Sequence, residues 1–102
     1  MFLVQILLPL RANDGTPFPV AHYRAVRHEL TERFGGLTAY TRAPAEGLWK
    51  EEGDAVTRDE IVIFEVMADD LDRAQWQRYR AELERRFVQD LIVIRAQVLE
   101  TL

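Results

Sequence analysis

Cysteine and serine are both absent from this 102-residue chain, lysine occurs once and histidine twice. Without a thiol or a serine hydroxyl, disulfides, zinc-thiolate sites and both Ser-His-Asp and Cys-His covalent catalysis are excluded. The lack of cysteine fits a reducing compartment, and a cytoplasmic location is expected. Lys50, the one lysine, is followed by Glu51 and Glu52, whose charges hold the ammonium protonated and oppose a Schiff-base role. A basic stripe is also missing. Twelve arginines and the lysine are interleaved with 17 acids for a net charge of −4, so no nucleic-acid partner is expected. No apolar run is long enough to span a bilayer. The hydrophobic opening, Met1 to Pro9, has neither a basic lead-in nor a small-residue cleavage site, so it reads as a strand and no membrane partner is expected.

Metal and cofactor signals are equally scarce. His22 and His28 lie six positions apart on one helical pattern and point in different directions, so no metal is expected. Gly35-Gly36 follow a helix rather than a strand, and no phosphate-cradling loop occurs, so no cofactor is expected. A hydrophobic fraction of 48% with 29% charged residues is enough to fold, and the length suits a single domain spanning residues 1–102.

What the chain does carry is an order of apolar patterns. Phe2 to Leu8 is nearly continuously apolar, as a central strand would be. Pro9 and Asn13-Asp14-Gly15 end it. From Pro19, residues Tyr23, Val26, Leu30 and Phe34 recur at helical spacing, with Pro19 suited to the first turn and Gly35-Gly36 to the stop. Leu37 to Arg42 reads as a short second strand. The stretch from 43 to 59 reads as a small hairpin or extended loop, and Glu60 to Met67 as the third strand. Asp72-Arg73-Ala74-Gln75 resembles a capping box opening a helix that runs to about Phe87. Its buried stripe is Trp76, Tyr79, Leu83 and Phe87, and its outer face carries four-apart pairs Arg78/Glu82, Arg80/Glu84 and Glu82/Arg86. Leu91 to Val98 is the last strand. This β-α-β-β-α-β order predicts an α+β ferredoxin-like two-layer sandwich: a four-stranded antiparallel sheet, strand order 4-1-3-2, with two helices on one face.

Alternation then divides the strands into two faces. Phe2, Val4, Ile6 and Leu8, with Val62, Phe64 and Val66, and Ile92, Ile94, Ala96 and Val98, should meet the helices. The opposite face mixes Leu3, Leu7, Ile61, Ile63, Met67, Leu91 and Val93 with Gln5, Glu65, Arg95 and Gln97. Seven large apolar groups on an open face exceed what a monomer usually shows. A homodimer packed sheet to sheet, of the dimeric α+β barrel type, is therefore expected.

Chemistry, if any, should lie on that face. Glu65 and Arg95 flank Gln5, and Tyr40 and Arg42 join from the second strand. Such a centre would orient a small anionic or oxygen-rich ligand, with Glu65 as a general base and Arg95 as counter-charge. The structural alternative is a Glu-Arg pair bridged by Gln5 that sets the register of a dimer. His22 would serve as a proton carrier or sit as an ordinary helix histidine. Trp49 would be a lid or interface anchor, or a plug at the end of the core.

The stretch Glu32-Arg-Phe-Gly-Gly-Leu-Thr-Ala-Tyr40, with Gly47-Leu-Trp49 and Arg86-Phe-Val-Gln-Asp-Leu-Ile-Val93, resembles small uncharacterised bacterial proteins of a ferredoxin-like domain family. The matching positions are Phe34, Gly35, Gly36, Thr38, Trp49, Phe87 and Gln89. The resemblance implies the fold and no particular reaction; it leaves Thr38 and Trp49 as candidate site-wall residues. Three readings of function result. One is a homodimer with a small-molecule pocket on the open face, drawing on Gln5, Thr38, Tyr40, Arg42 and Trp49. The others are a cofactor-free oxygenase- or isomerase-like enzyme using Glu65, Arg95 or His22, and a protein-interaction module.

Overall fold

A computed structural model describes the backbone of residues 1–50 and 56–102 and the side chains of residues 1–38 and 61–102. The elements are β1 (Phe2–Pro9), α1 (Val20–Phe34), β2 (Thr38–Lys50), β3 (Val56–Ala68), α2 (Arg73–Arg86) and β4 (Ile94–Val98). The strands lie in the order β2-β3-β1-β4, and each neighbouring pair is antiparallel. The α+β class and the two helices are those expected from the sequence.

Alternation assigns the two faces as expected. Val4, Ile6, Leu8, Val62, Phe64 and Val66 are buried, and they share one core with Val26 and Leu30 of α1 and Trp76 and Leu83 of α2. Both helices therefore cover the even-numbered side of β1 and β3. Phe34 stacks on Trp76 with ring centroids 5.2 Å apart, joining the end of α1 to the start of α2. The Tyr23 hydroxyl donates to the Pro9 carbonyl at 2.6 Å and ties α1 to the end of β1.

Local signals explain the helix ends. Gly35 adopts φ 76°, and its N–H closes α1 on the Thr31 carbonyl at 2.8 Å, a left-handed cap that glycine takes without a side-chain clash. Pro19 stands as the residue before α1, with no side-chain cap, rather than inside its first turn. Asp72 caps α2, its carboxylate accepting from the Gln75 N–H at 3.2 Å. On the outer face of α2, Arg80 pairs with Glu84 and Arg86 with Glu82 as expected, while Glu82 takes Arg85 at 2.7 Å in place of Arg78.

Three expectations need correction. The second and third strands run past their expected ends, through 43–50 and 56–59, so of the two readings of this stretch the hairpin is the one seen, with residues 51–55 outside the described residues. Leu48 pairs with Arg58 and Trp49 with Thr57 as continuations of β2 and β3, after a register irregularity between Tyr40 and Ala45. Pro44 lies within that irregularity, where its missing N–H withdraws a ladder donor. The last strand also starts later than expected, at Ile94. The Ile92 N–H is taken by the Glu84 carboxylate at 2.9 Å, which ties this segment to α2 and delays the regular ladder. Finally, Ala96 and Val98 do not lie beneath a helix. β4 is an edge strand: Ala96 lines an open cleft of about 210 Å³ facing Trp76, Gln77 and Arg80 of α2, and Val98 is 77% exposed.

Val88, just past α2, has φ 50° and is well exposed. A β-branched residue is strained there, at a cost of about 1–2 kcal/mol. Val88→Gly relieves that strain but adds freedom to the unfolded chain. The expected net result is a gain of up to about 1 kcal/mol in urea unfolding, with an unchanged m-value.

Candidate functional site

The ladder registers place Thr38 opposite Glu65, Glu65 opposite Gln5, and Gln5 opposite Arg95. All four project from the face away from the helices. They form one polar row across the whole sheet, about 14 Å long at the usual strand spacing. Gln5 links its neighbours: its amide N–H donates to Glu65 Oε1 at 2.6 Å, and its amide oxygen accepts from Arg95 Nε at 2.7 Å. The arrangement leaves Glu65 and Arg95 one strand to either side of the bridging amide. The row thus has a negative end and a positive end.

Apolar side chains border this row. Leu3, Leu7, Ile61 and Ile63 are half-buried, while Met67, Leu91 and Val93 are 55%, 66% and 43% exposed. The Val93 carbonyl accepts from the Leu7 N–H at 3.0 Å, so Val93, Leu7, Ile63 and Tyr40 form the adjoining row. Two grooves begin at Leu3. One, of about 320 Å³, runs past Gln5 and Arg95 to Gln97; the other, of about 330 Å³, reaches Glu65, Thr38 and the Gly35-Gly36 turn.

Gln5, Glu65, Arg95 and Thr38 are therefore brought together. Tyr40 pairs with Ile63 in the backbone ladder, but the side chains of Tyr40, Arg42 and Trp49 lie outside the described residues. His22 is placed elsewhere. It packs edge-on against Phe87 at 5.5 Å and beside Phe18 at 6.0 Å, in an aromatic cluster on the helical side of the sheet. The whole core layer separates it from the polar row. Gln89 acts at a helix end, donating to the Phe87 carbonyl at 3.1 Å while its own N–H bonds the Glu84 carbonyl.

No family model matches the sequence, and no curated protein matches it. Solved structures do. A phage SAM lyase in complex with S-methyl-5'-thioadenosine is similar at TM-score 0.63 and 15% identity, covering 94% of this chain and 79% of that one. Its apo state gives 0.58 at 13% identity, over 94% and 78%. Pyrococcus horikoshii CutA, crystallised in the presence of 3 M guanidine hydrochloride, gives 0.57 at 12% identity, over 100% and 87%. The shared fold is that of a small α+β protein. At these identities the likeness carries the architecture and no chemistry.

The sequence reading missed a second polar cluster, between the helices. Arg86 holds Glu29 through two hydrogen bonds of 2.7 and 2.9 Å, and the Tyr79 hydroxyl donates to the same carboxylate at 3.0 Å. The available signal was the seven-residue spacing of Tyr79 and Arg86, which puts both on one face of α2. The Arg86 hydrogen bonds hold the Glu29 carboxyl below its ordinary range. Burial and the neighbouring carboxylate push the Tyr79 hydroxyl upward. Because the Glu29 value is depressed on folding, its stabilisation is complete above about pH 4.5 and disappears as pH falls through the lower folded-state value. Glu29 is partly exposed, so solvent screening limits the effect to about 1 kcal/mol. Arg86→Gln is expected to remove that acid-dependent component, read as a flatter dependence of the urea midpoint on pH below 5.

Among the described residues no group of three or more His, Cys, Asp or Glu could hold a metal ion, and no helix is long and apolar enough to cross a membrane.

Proposed function

We propose that this chain is a cytoplasmic ferredoxin-like sandwich that works as a homodimer through its open sheet face, enclosing a small-molecule pocket between the copies. The observation that carries the reading is the exposure of Met67 and Val93 beside half-buried Leu3, Leu7, Ile61 and Ile63, all on the face the helices leave uncovered. Fully burying one such side chain is worth roughly 1.5–3 kcal/mol, so a second copy supplies a strong driving force. The Gln5 bridge favours an interfacial role for Glu65 and Arg95 over an acid-base one. Both groups already have a partner through one amide, and a satisfied polar row in an apolar wall specifies how two copies meet. Grooves beginning at Leu3 supply the space for a ligand once the face is covered.

Native mass spectrometry of protein purified without refolding tests both parts. The expected species has twice the 11.9 kDa mass of one chain, with a retained small molecule as additional mass. A spectrum of single chains alone, across the micromolar range, would refute the assembly. A bare dimer would refute the pocket.

A further inference from the structure

The polar row is a line of charge, negative at Glu65 and positive at Arg95 with Gln5 midway. Two identical sheets packed face to face are related by a two-fold axis lying between them. Where that axis runs decides which end of the row meets which. An axis across the strands, along the row itself, sets Glu65 against the partner's Glu65 and Arg95 against the partner's Arg95. Like charges so placed are strongly unfavourable once water is removed. An axis along the strands between β1 and β3 sets Glu65 against the partner's Gln5, and leaves Arg95 opposite the partner's Thr38. Neither charge then gains a counter-charge. An axis along the strands above β1 sets Glu65 against the partner's Arg95 on both sides, and Gln5 against the partner's Gln5.

We infer that the two-fold axis runs along β1, so that each Glu65 faces the partner's Arg95 and two equivalent Glu-Arg sites are completed between the copies. The inference rests on the homodimer proposed above and adds its geometry. Sheets pack about 10 Å apart, a gap that an extended glutamate and arginine can close. The adjoining row agrees, because Ile63 then meets the partner's Val93 and Leu7 meets the partner's Leu7, apolar against apolar. The same axis sets β3 over the partner's β4 and leaves β2 overhanging. Thr38, at the β2 end of the row, becomes the rim residue from which each composite site is reached.

The chain lacks cysteine, so single introduced thiols report positions cleanly. With a short bis-maleimide, Leu7→Cys and, separately, Leu3→Cys are expected to cross-link copy to copy, because both positions lie on the axis. Ile63→Cys alone is not. A dimer in which Leu7→Cys stays unlinked, while a mixture of Leu7→Cys and Ile63→Cys links, overturns the axis and leaves the homodimer standing. A single-chain mass for the unmodified protein by light scattering overturns the homodimer itself.

Charge reversal gives an independent reading. Glu65→Arg and Arg95→Glu should each weaken dimerisation about a hundredfold, and the double reversal within one chain should recover to within about tenfold of the original. Glu65→Gln keeps the acceptor for Gln5 while removing the charge, and should fall between. Unchanged affinity on either single reversal contradicts the inference.

Discussion

Phe87→Ala is expected to lower the unfolding free energy by about 3–5 kcal/mol, the cost of emptying a fully enclosed aromatic site. Phe87 is 0% exposed. It meets Phe18 edge-on at 5.1 Å, His22 at 5.5 Å and Tyr23 at 5.5 Å, so one ring joins the end of α2 to the start of α1 and the loop before it. The Phe87 N–H also ends α2 on the Leu83 carbonyl at 2.8 Å. Alanine preserves that backbone bond and removes the ring, which isolates packing as the cause. A domain of this size has about 5–15 kcal/mol in total, so the variant should approach the edge of folding. Urea unfolding at fixed protein concentration is the check. A loss below about 1 kcal/mol would mean that the cluster collapses around the gap or is not packed as described.

Val93→Lys is expected to abolish dimerisation at micromolar concentration while leaving each chain folded. Val93 projects from the open face and is 43% exposed in the single chain, so the substitution removes no core packing and should change chain stability by about 0.5 kcal/mol or less. In the proposed dimer it would bury an ammonium opposite the partner's Ile63 without a counter-charge, which weakens association at least about a hundredfold. Val98→Lys is the matched control, since Val98 ends the strand that follows Val93, is 77% exposed and belongs to the other face. Sedimentation equilibrium with far-ultraviolet circular dichroism separates the cases. Equal association constants for Val93→Lys and the unmodified chain would exclude the open face as the interface.

Period-two alternation made both faces of β1 and β3 legible without coordinates, because every even residue from Val4 to Leu8 and from Val62 to Val66 is apolar. The Gln5, Glu65 and Arg95 row followed from the same parity together with the strand order, which sets β3 and β4 on either side of β1. The limits of β4 were not legible. Ile92 and Val93 have strand-like side chains, yet the backbone N–H of Ile92 goes to Glu84, a long-range competitor that no local propensity reveals. Ala96 and Val98 alternate correctly and still lack cover, since alternation reports the face of a strand and not the reach of the neighbouring helix. The Glu29, Arg86 and Tyr79 cluster escaped notice for a similar reason. Glu82, four residues away on the same helix, supplied an adequate local partner for Arg86, whereas Glu29 lies 57 positions away in sequence. His22 is the opposite case: the sequence left it open between a proton carrier and an ordinary helix histidine, and its packing against Phe87 and Phe18 supports the second.

Small-angle X-ray scattering over a concentration series tests most directly whether the uncovered face meets a second copy. Forward scattering should give twice the mass of one chain, with a radius of gyration well above the 14.5 Å of the single chain. The Val93→Lys variant should return both to single-chain values. A particle of one chain's mass and a radius near 14.5 Å throughout the micromolar range would contradict the account.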